Sequence, residues 1–546
     1  MDPLWTRQVK LTQRMMDPLG LARVSERITS DLLPGITTTT TVARNYSLYC
    51  WAIYDSLKRV NIQSRSQFAD EMVKRENAFV LGSLLHHEKD REFKSPIGVD
   101  VGRQVLENSN KVVRMDFRVS KSNPEGFYGL YYKGPLNTLG LTRRGRTFDF
   151  LTKRGKELAL SFEKNIKQTE YYKKYITRKV IPINVLREYG KKACICMLKR
   201  RTRERELLRK IFLGKNLPPA VLEYSRRDTL LMVLEMIRQC DEKNVFFDDW
   251  VFRNIIFYSQ FSDGRKIYRF DFSKFKDIKQ RWRFFQFHEY FAYALETILH
   301  AFIKELKLRE EGLTKNEFLK VVSDYKKIVE EKLSTRVKDK RMIDIINDTL
   351  MLYGCEKFGK NSSLIFDQRC TLSSKLNEEN LRIEIEYLIN ENGNSPKLIG
   401  LSIVLLILLF IRFYHFYNSS DRAYVWFHDI SAGELSLKAL TDDIKHRLND
   451  FTLEDFLRHI LDLVIFYHNT VAYNKLVYGN DTFRFKEISG RYFFVRDFEP
   501  TWRNTRINGV LGILEDLGLC ETSENTRSVT DDSIKILRNH GVNFAN

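Results

Sequence analysis

The stretch KLIGLSIVLLILLFIRFYHFY holds fourteen uncharged residues in a row, Leu398–Ile411, and a stable fold must take them out of water. A bilayer span needs roughly twenty such residues, whereas runs of about ten to fourteen are the length of buried core helices. Arg412 and His415 follow at once, and no second segment of this kind accompanies it. The run is therefore read as a central core helix, with a membrane-inserting segment as the alternative.

The rest of the chain reads as mainly α with small β hairpins. The segment YGLYYKGPLNTLGLTRRGRTFDFLTKRGKELALSF has a short helical piece ending at Leu139–Leu141 and a hairpin with its tip at Thr142–Thr147. The strand Phe148–Phe150 and a helix capped by Thr152 complete it. Helix, strand, basic hairpin, strand and helix in this order resemble the latter half of a winged-helix domain, whose hairpin lies against nucleic acid. The sequence ILEDLGLCETSENTRSVTDDSIKILRNHG repeats the plan, with eleven residues from the last leucine of LGL to the capping threonine both times, Leu141 to Thr152 and Leu519 to Thr530. The expected organisation is two winged-helix-like units flanking a helical middle domain. An N-terminal helical and winged-helix-like domain covers 1–165. A middle domain with a basic ridge and the apolar core helix covers 166–476. A β-hairpin, turning at Ser489-Gly490, and the second winged-helix-like unit cover 477–546.

Charge separates the two hairpins. The chain has a net charge of +20, an excess that in a globular protein calls for a polyanionic partner. The first hairpin and the helix after it carry Arg143, Arg144, Arg146, Lys153, Arg154 and Lys156; the second carries Glu521, Glu524, Asp531 and Asp532 against Arg527 and Lys535. Only the first is suited to nucleic acid, DNA in particular, and the second is read as a protein contact. A further basic concentration, KRRTRERELLRK, places Lys199, Arg200, Arg201, Arg203, Arg205, Arg209 and Lys210 together, a ridge able to follow a phosphate backbone.

Five threonines, Thr37–Thr41, run into a helical pattern whose first turn contains Arg44. Thr40 or Thr41 is the expected N-cap. A cation at a helix start opposes the macrodipole, which an anion bound there would relieve. The leading reading is a capped helix whose Arg44 pairs with a carboxylate elsewhere in the fold, with Thr40, Thr41 and Arg44 as the alternative, a candidate anion site.

Catalytic signatures are missing. There is no GxxxxGK[ST] loop and no GxSxG elbow. His288-Glu289 lacks the second histidine of HExxH, and Glu296 and His300 on the same helix are read as structural hydrogen-bonding groups. The tripeptide Glu92–Lys94 matches the tail of a metal-dependent nuclease motif without the upstream acidic strand, and His86-His87 reads as an exposed helix end. The seven cysteines are scattered, and the pair Cys194 and Cys196 has no second cysteine pair or nearby histidine in the sequence to complete a metal site. The reading is a cytoplasmic protein with no cofactor, no metal and no catalytic residues. No apolar leader is visible in MDPLWTRQVK.

The segments LLPGITTTTTVARNYSLYCWAIYDSL, GFYGLYYKGPLNTLGL with LTKRGKELA, and NDTFRF…NTRINGVLGILEDLGL together resemble, in that order, a family of prokaryotic antiviral-defence-island proteins, nearest to components of Druantia-like multi-gene systems. The resemblance implies a context, defence against phage beside other proteins of the same system, a helicase among them; it carries no site residues. The expected function is a non-enzymatic nucleic-acid-binding or scaffold component of such a system. The alternatives are a membrane-disrupting effector using 398–411 and a divergent metal-dependent nuclease.

Overall fold

The apolar run folds as the helix Ser395–Tyr414 and is buried along its length. The Asn394 side chain accepts the Lys397 N–H at 2.9 Å, and Pro396 sits in the first turn, where a missing N–H costs nothing. The helix packs against Tyr325–Leu333, Lys360–Arg369 and Glu378–Asn390. Gly400 permits the first of these crossings, because a Cβ there would stand 2.6 Å from Ile328 Cβ and 3.1 Å from the Tyr325 carbonyl. At the far end Arg412 is only 1% exposed. It donates to Glu378 and Asp367 at 2.7 Å each and to the Cys370 carbonyl at 2.7 Å. A charge this deep is tolerable only when paired in this way.

A computed structural model describes residues 17–90, 93–118, 120, 123–217 and 222–542. Among the described residues 61% are helical and 6% lie in strands, and the strands form only two-stranded antiparallel pairs. It divides into two compact units. One holds residues 1–28, 253–271 and 279–503; the other holds 29–252, 272–278 and 504–546. The units are interleaved, so the boundaries expected at 165 and 476 do not coincide with them. Both pieces that resemble winged helices lie in the second unit. Packing joins segments that are remote in sequence, and such joins leave no local compositional mark.

The first unit contains the apolar helix and the hairpin Phe485–Ile488/Arg491–Phe494, which turns through Ser489 and Gly490 at φ of 52° and 78°. Two left-handed residues suit the twist of a two-residue hairpin loop. In the same unit the helix Leu453–Leu476 starts with a reciprocal capping box between Thr452 and Asp455. Its buried His468 accepts the Arg484 N–H on Nε2 at 3.0 Å and stacks on Phe485 at 4.0 Å.

The second unit is built on the helix Ala43–Arg59, which packs against Lys153–Ile166 and Arg65–His86. The repeated sequence plan recurs here as repeated hydrogen bonds. Gly140 and Gly518 both turn at φ of 66°. Leu141 N–H and Leu519 N–H donate to Leu136 and Leu514 carbonyls, at 2.9 Å each. The Thr152 and Thr530 hydroxyls donate to the Gly140 and Gly518 carbonyls at 2.7 and 3.0 Å. The strands Thr142–Arg143/Phe150–Leu151 and Cys520–Thr522/Arg527–Val529 form the two hairpins. One difference is that only Thr152 caps the following helix with its side chain, accepting from Gly155 N–H at 3.1 Å. Elsewhere in this unit Arg65–His86 and Ile183–Ala193 meet at Gly82 and Gly190, where a Cβ on Gly190 would stand 1.8 Å from the Gly82 carbonyl oxygen.

Candidate nucleic-acid interface

Arg143 closes the first strand of the first hairpin, Arg144 and Arg146 lie in its loop, and Lys153 and Arg154 open the helix Lys153–Ile166. All five are exposed, and none of their side chains takes part in a hydrogen bond or ion pair among the described residues. Phe150 beside them is 51% exposed and touches Phe148 at 4.9 Å between ring centres. An aromatic face among free cations offers both a charge and a stacking surface.

The basic ridge does not form a uniform helix face. A 3-10 turn covers Ile195–Arg200, and the helix Thr202–Phe212 follows. Lys199, Arg200, Arg203 and Lys210 are exposed and unpaired. Arg201 and Arg205 are half-buried, and Arg205 donates to the Lys199 carbonyl at 3.2 Å. Burial, then the neighbouring Arg44, pull the Arg201 guanidinium below its ordinary value. Arg209 is turned inward. It donates to the Leu517 carbonyl at 2.9 Å and the Gly518 carbonyl at 3.2 Å, and pairs with Asp532 at 3.0 Å. Buried Arg226 stops the helix by donating to the Ile211 and Phe212 carbonyls at 2.9 Å each. The helix Lys153–Ile166 packs on this ridge helix, with Asn165 donating to Glu204 at 2.8 Å, so the two cation clusters sit on adjoining elements.

Arg44 is not part of an anion site. It is fully buried and pairs with Glu204 of the ridge helix at 3.3 Å. It also donates to the carbonyls of Cys194 and, at 3.2 Å, Lys192, and lies over the Phe162 ring. The helix starts at Ala43, after Val42, so neither Thr40 nor Thr41 caps it. The Thr40 hydroxyl accepts the Thr37 N–H at 2.8 Å instead. The anion at the helix start is the chain's own Asp516, which accepts the Ala43 N–H at 2.9 Å and binds Lys94 at 2.7 Å. Threonine backbone packs against the helix Ile507–Asp516 at its glycines, Gly509 and Gly512.

The same Lys94 completes the tripeptide that matched a nuclease motif; its Glu92 lies outside the described residues. Committed to Asp516 and the Gly512 carbonyl, Lys94 serves as a structural tie. In the first unit, Glu289 accepts from Ser25 at 2.5 Å and from Arg503 N–H at 3.0 Å, and Glu296 accepts from Thr501 N–H at 2.9 Å. His288 and His300 bond the Leu21 and Phe498 carbonyls at 2.9 and 2.6 Å. These four side chains clasp backbone and do not converge on a reaction site.

The acidic hairpin docks within its own unit. Its strand Arg527–Val529 lies on the helix Ser225–Glu242, and Arg527 donates to the Phe247 carbonyl. One grouping was absent from the sequence reading: the fold brings His86 and His87 to Cys194 and Cys196, supplying the histidines that the cysteine pair lacked. A cleft of about 880 Å³ adjoins them, lined by Leu84, His87, Asp90, Phe93, Arg103 and Arg187 among others. Comparison with family models, with curated proteins and with solved structures found no match for the chain.

Proposed function

We propose that the chain is a nucleic-acid-binding, non-enzymatic component of a prokaryotic anti-phage system, with its first helix–hairpin–helix piece acting as a winged-helix-like reader of DNA. One observation carries this reading. The wing cations Arg143, Arg144, Arg146, Lys153 and Arg154, and the ridge cations Lys199, Arg200 and Arg203, are exposed and unpaired on adjoining elements. In a protein that ties many of its other arginines into carboxylates and carbonyls, eight free cations on neighbouring segments are suited to phosphates. The second helix–hairpin–helix piece, spent on packing within its unit, serves as scaffold. The defence setting and the helicase-containing partner set rest on the sequence resemblance.

The test is DNA affinity across a salt series, wild type beside R143A/R144A/R146A. Log affinity should fall linearly with log salt, and the variant's slope should be shallower by up to about 0.9 per lost phosphate contact. Salt-insensitive or negligible binding by the wild type, alone and with its co-encoded proteins, refutes the reading. A phage-plating assay with the same variant in its intact gene set tests the setting separately.

A further inference from the structure

We infer that His86, His87, Cys194 and Cys196 form a tetrahedral site for a zinc-class divalent metal ion. Two histidines close the helix Arg65–His86, and two cysteines lie in the turn after Ile183–Ala193. Each pair follows its glycine by about one helical turn: Gly82 precedes His86 and His87, and Gly190 precedes Cys194 and Cys196. The side-chain-free contact between those glycines lets the helices close up, and the closure carries the ligand pairs together.

One ligand atom from each residue can be chosen so that all four lie within 4.8 Å of one another. Cys196 Sγ is 3.3 Å from His87 Nε2 and 3.6 Å from His86 Nδ1. Metal bonds of about 2.3 Å to sulfur and 2.0–2.1 Å to nitrogen at a tetrahedral angle place sulfur and nitrogen about 3.5 Å apart. The observed separations bracket that value, so small side-chain adjustments suffice to seat an ion.

The surroundings fix the ligands. His87 Nδ1 faces Asp90 at 3.6 Å, and its ring stacks on Phe93 at 4.3 Å between centres, so Nε2 is held toward the cluster. A carboxylate behind a ligating imidazole sets its tautomer and raises its basicity. On the other side Arg44 grips the Cys194 carbonyl, and the Met197 N–H donates to that carbonyl at 3.0 Å. Cys194 is buried while Cys196 is exposed, and the cleft beside His87 gives an ion a way in. Two thiolates and two neutral imidazoles balance a dication in a half-buried place. Four protein ligands leave no open position, which makes the site structural. It would tie the end of one core helix to the turn that begins the basic ridge three residues later, at Lys199. The assignment stands on this geometry and not on the nucleic-acid reading.

The test uses the full chain, purified with reductant and loaded with zinc, then desalted and assayed for metal by mass spectrometry. One zinc per chain is expected, and Co²⁺ substitution should give the visible bands of tetrahedral cobalt with thiolate charge-transfer absorption. C196S, at an exposed position, and H87Q should lose the bands while keeping helical circular dichroism. D90N should retain the site with about 10–100-fold weaker affinity. Wild type that takes up no zinc, cobalt bands of octahedral type, or a full zinc content in both C196S and H87Q overturns the assignment. A Cys194–Cys196 disulfide persisting under reductant does the same.

Discussion

Gly190→Ala probes the closest approach in the second unit. The added Cβ would lie 1.8 Å from the Gly82 carbonyl oxygen and 2.5 Å from its carbon. Ordinary contact begins at 3.4 Å, so the helices must part by about 1.6 Å along that line (3.4 − 1.8). Both obstacles are backbone, and no side chain can swing aside. Overpacking of this kind costs about 1–3 kcal/mol, and a backbone obstacle puts the cost near 3. At about 2–4 °C per kcal/mol for a unit of this size, melting should drop by roughly 6–12 °C. Gly82→Ala is the graded companion: its Cβ meets the Leu186 carbonyl at 3.1 Å, so its drop should be smaller. Scanning calorimetry gives the melting, and hydrogen exchange should show lost protection confined to Arg65–His86 and Ile183–Ala193. If G190A melts within about 1 °C of wild type, or G82A is the worse variant, the close approach does not exist as described.

Other outcomes follow from single contacts. R412L leaves Glu378 buried without its partner and should destabilise the first unit by about 3–5 kcal/mol in urea unfolding; a loss under about 1 kcal/mol would show the network to be dispensable. Burial holds His468 down at about 4 from an ordinary 6.5, so the unfolded chain takes up the proton first. That histidine's share of stability is full above pH 6.5 and is lost as pH falls toward 4, about 3 kcal/mol in all. H468Q should flatten this part of the stability–pH curve. K199A/R200A/R203A should lower the salt slope of DNA binding with melting unchanged, whereas R209A should lower melting and leave the slope alone; the reverse pattern would mean the ridge faces inward. D516N should weaken the start of Ala43–Arg59 by about 1 kcal/mol, read as faster exchange in its first turn.

Where a signal is local, the sequence carried it. The length of the apolar run favours a core helix over a membrane span, Ser489-Gly490 suits a hairpin turn, and the two equal LGL-to-threonine spacings recur as two sets of matching hydrogen bonds. The basic side chains were legible in kind but not in use. Nothing near Arg209 or Arg44 marks them as buried, because their partners, Leu517 and Gly518 for one and Glu204 for the other, are remote in the chain. Thr40 and Thr41 lost the cap to Asp516, hundreds of residues away, since a carboxylate at that place also meets the macrodipole. The histidine and cysteine pairs lie more than a hundred residues apart, so the close spacing of Cys194 and Cys196 shows half of a ligand set and nothing in the sequence joins it to His86 and His87. A glycine about a turn before each pair is the further clue that they could meet.

The second unit is completed by a segment made well after its body. Its body ends at Phe252 apart from a short return at 272–278, and its final segment begins at Asn504, some 250 residues later. That segment supplies Asp516 to the start of Ala43–Arg59 and the carbonyls that hold Arg209. At translation rates of about 5–20 residues per second, the early body waits roughly 12–50 s for its missing piece. During that interval the face that receives Ile507–Asp516 is uncovered on the ribosome-bound chain. A chaperone that shields apolar surface on nascent protein therefore has a defined place and a defined time to act, and a ribosome stalled before Asn504 would strand the unit open.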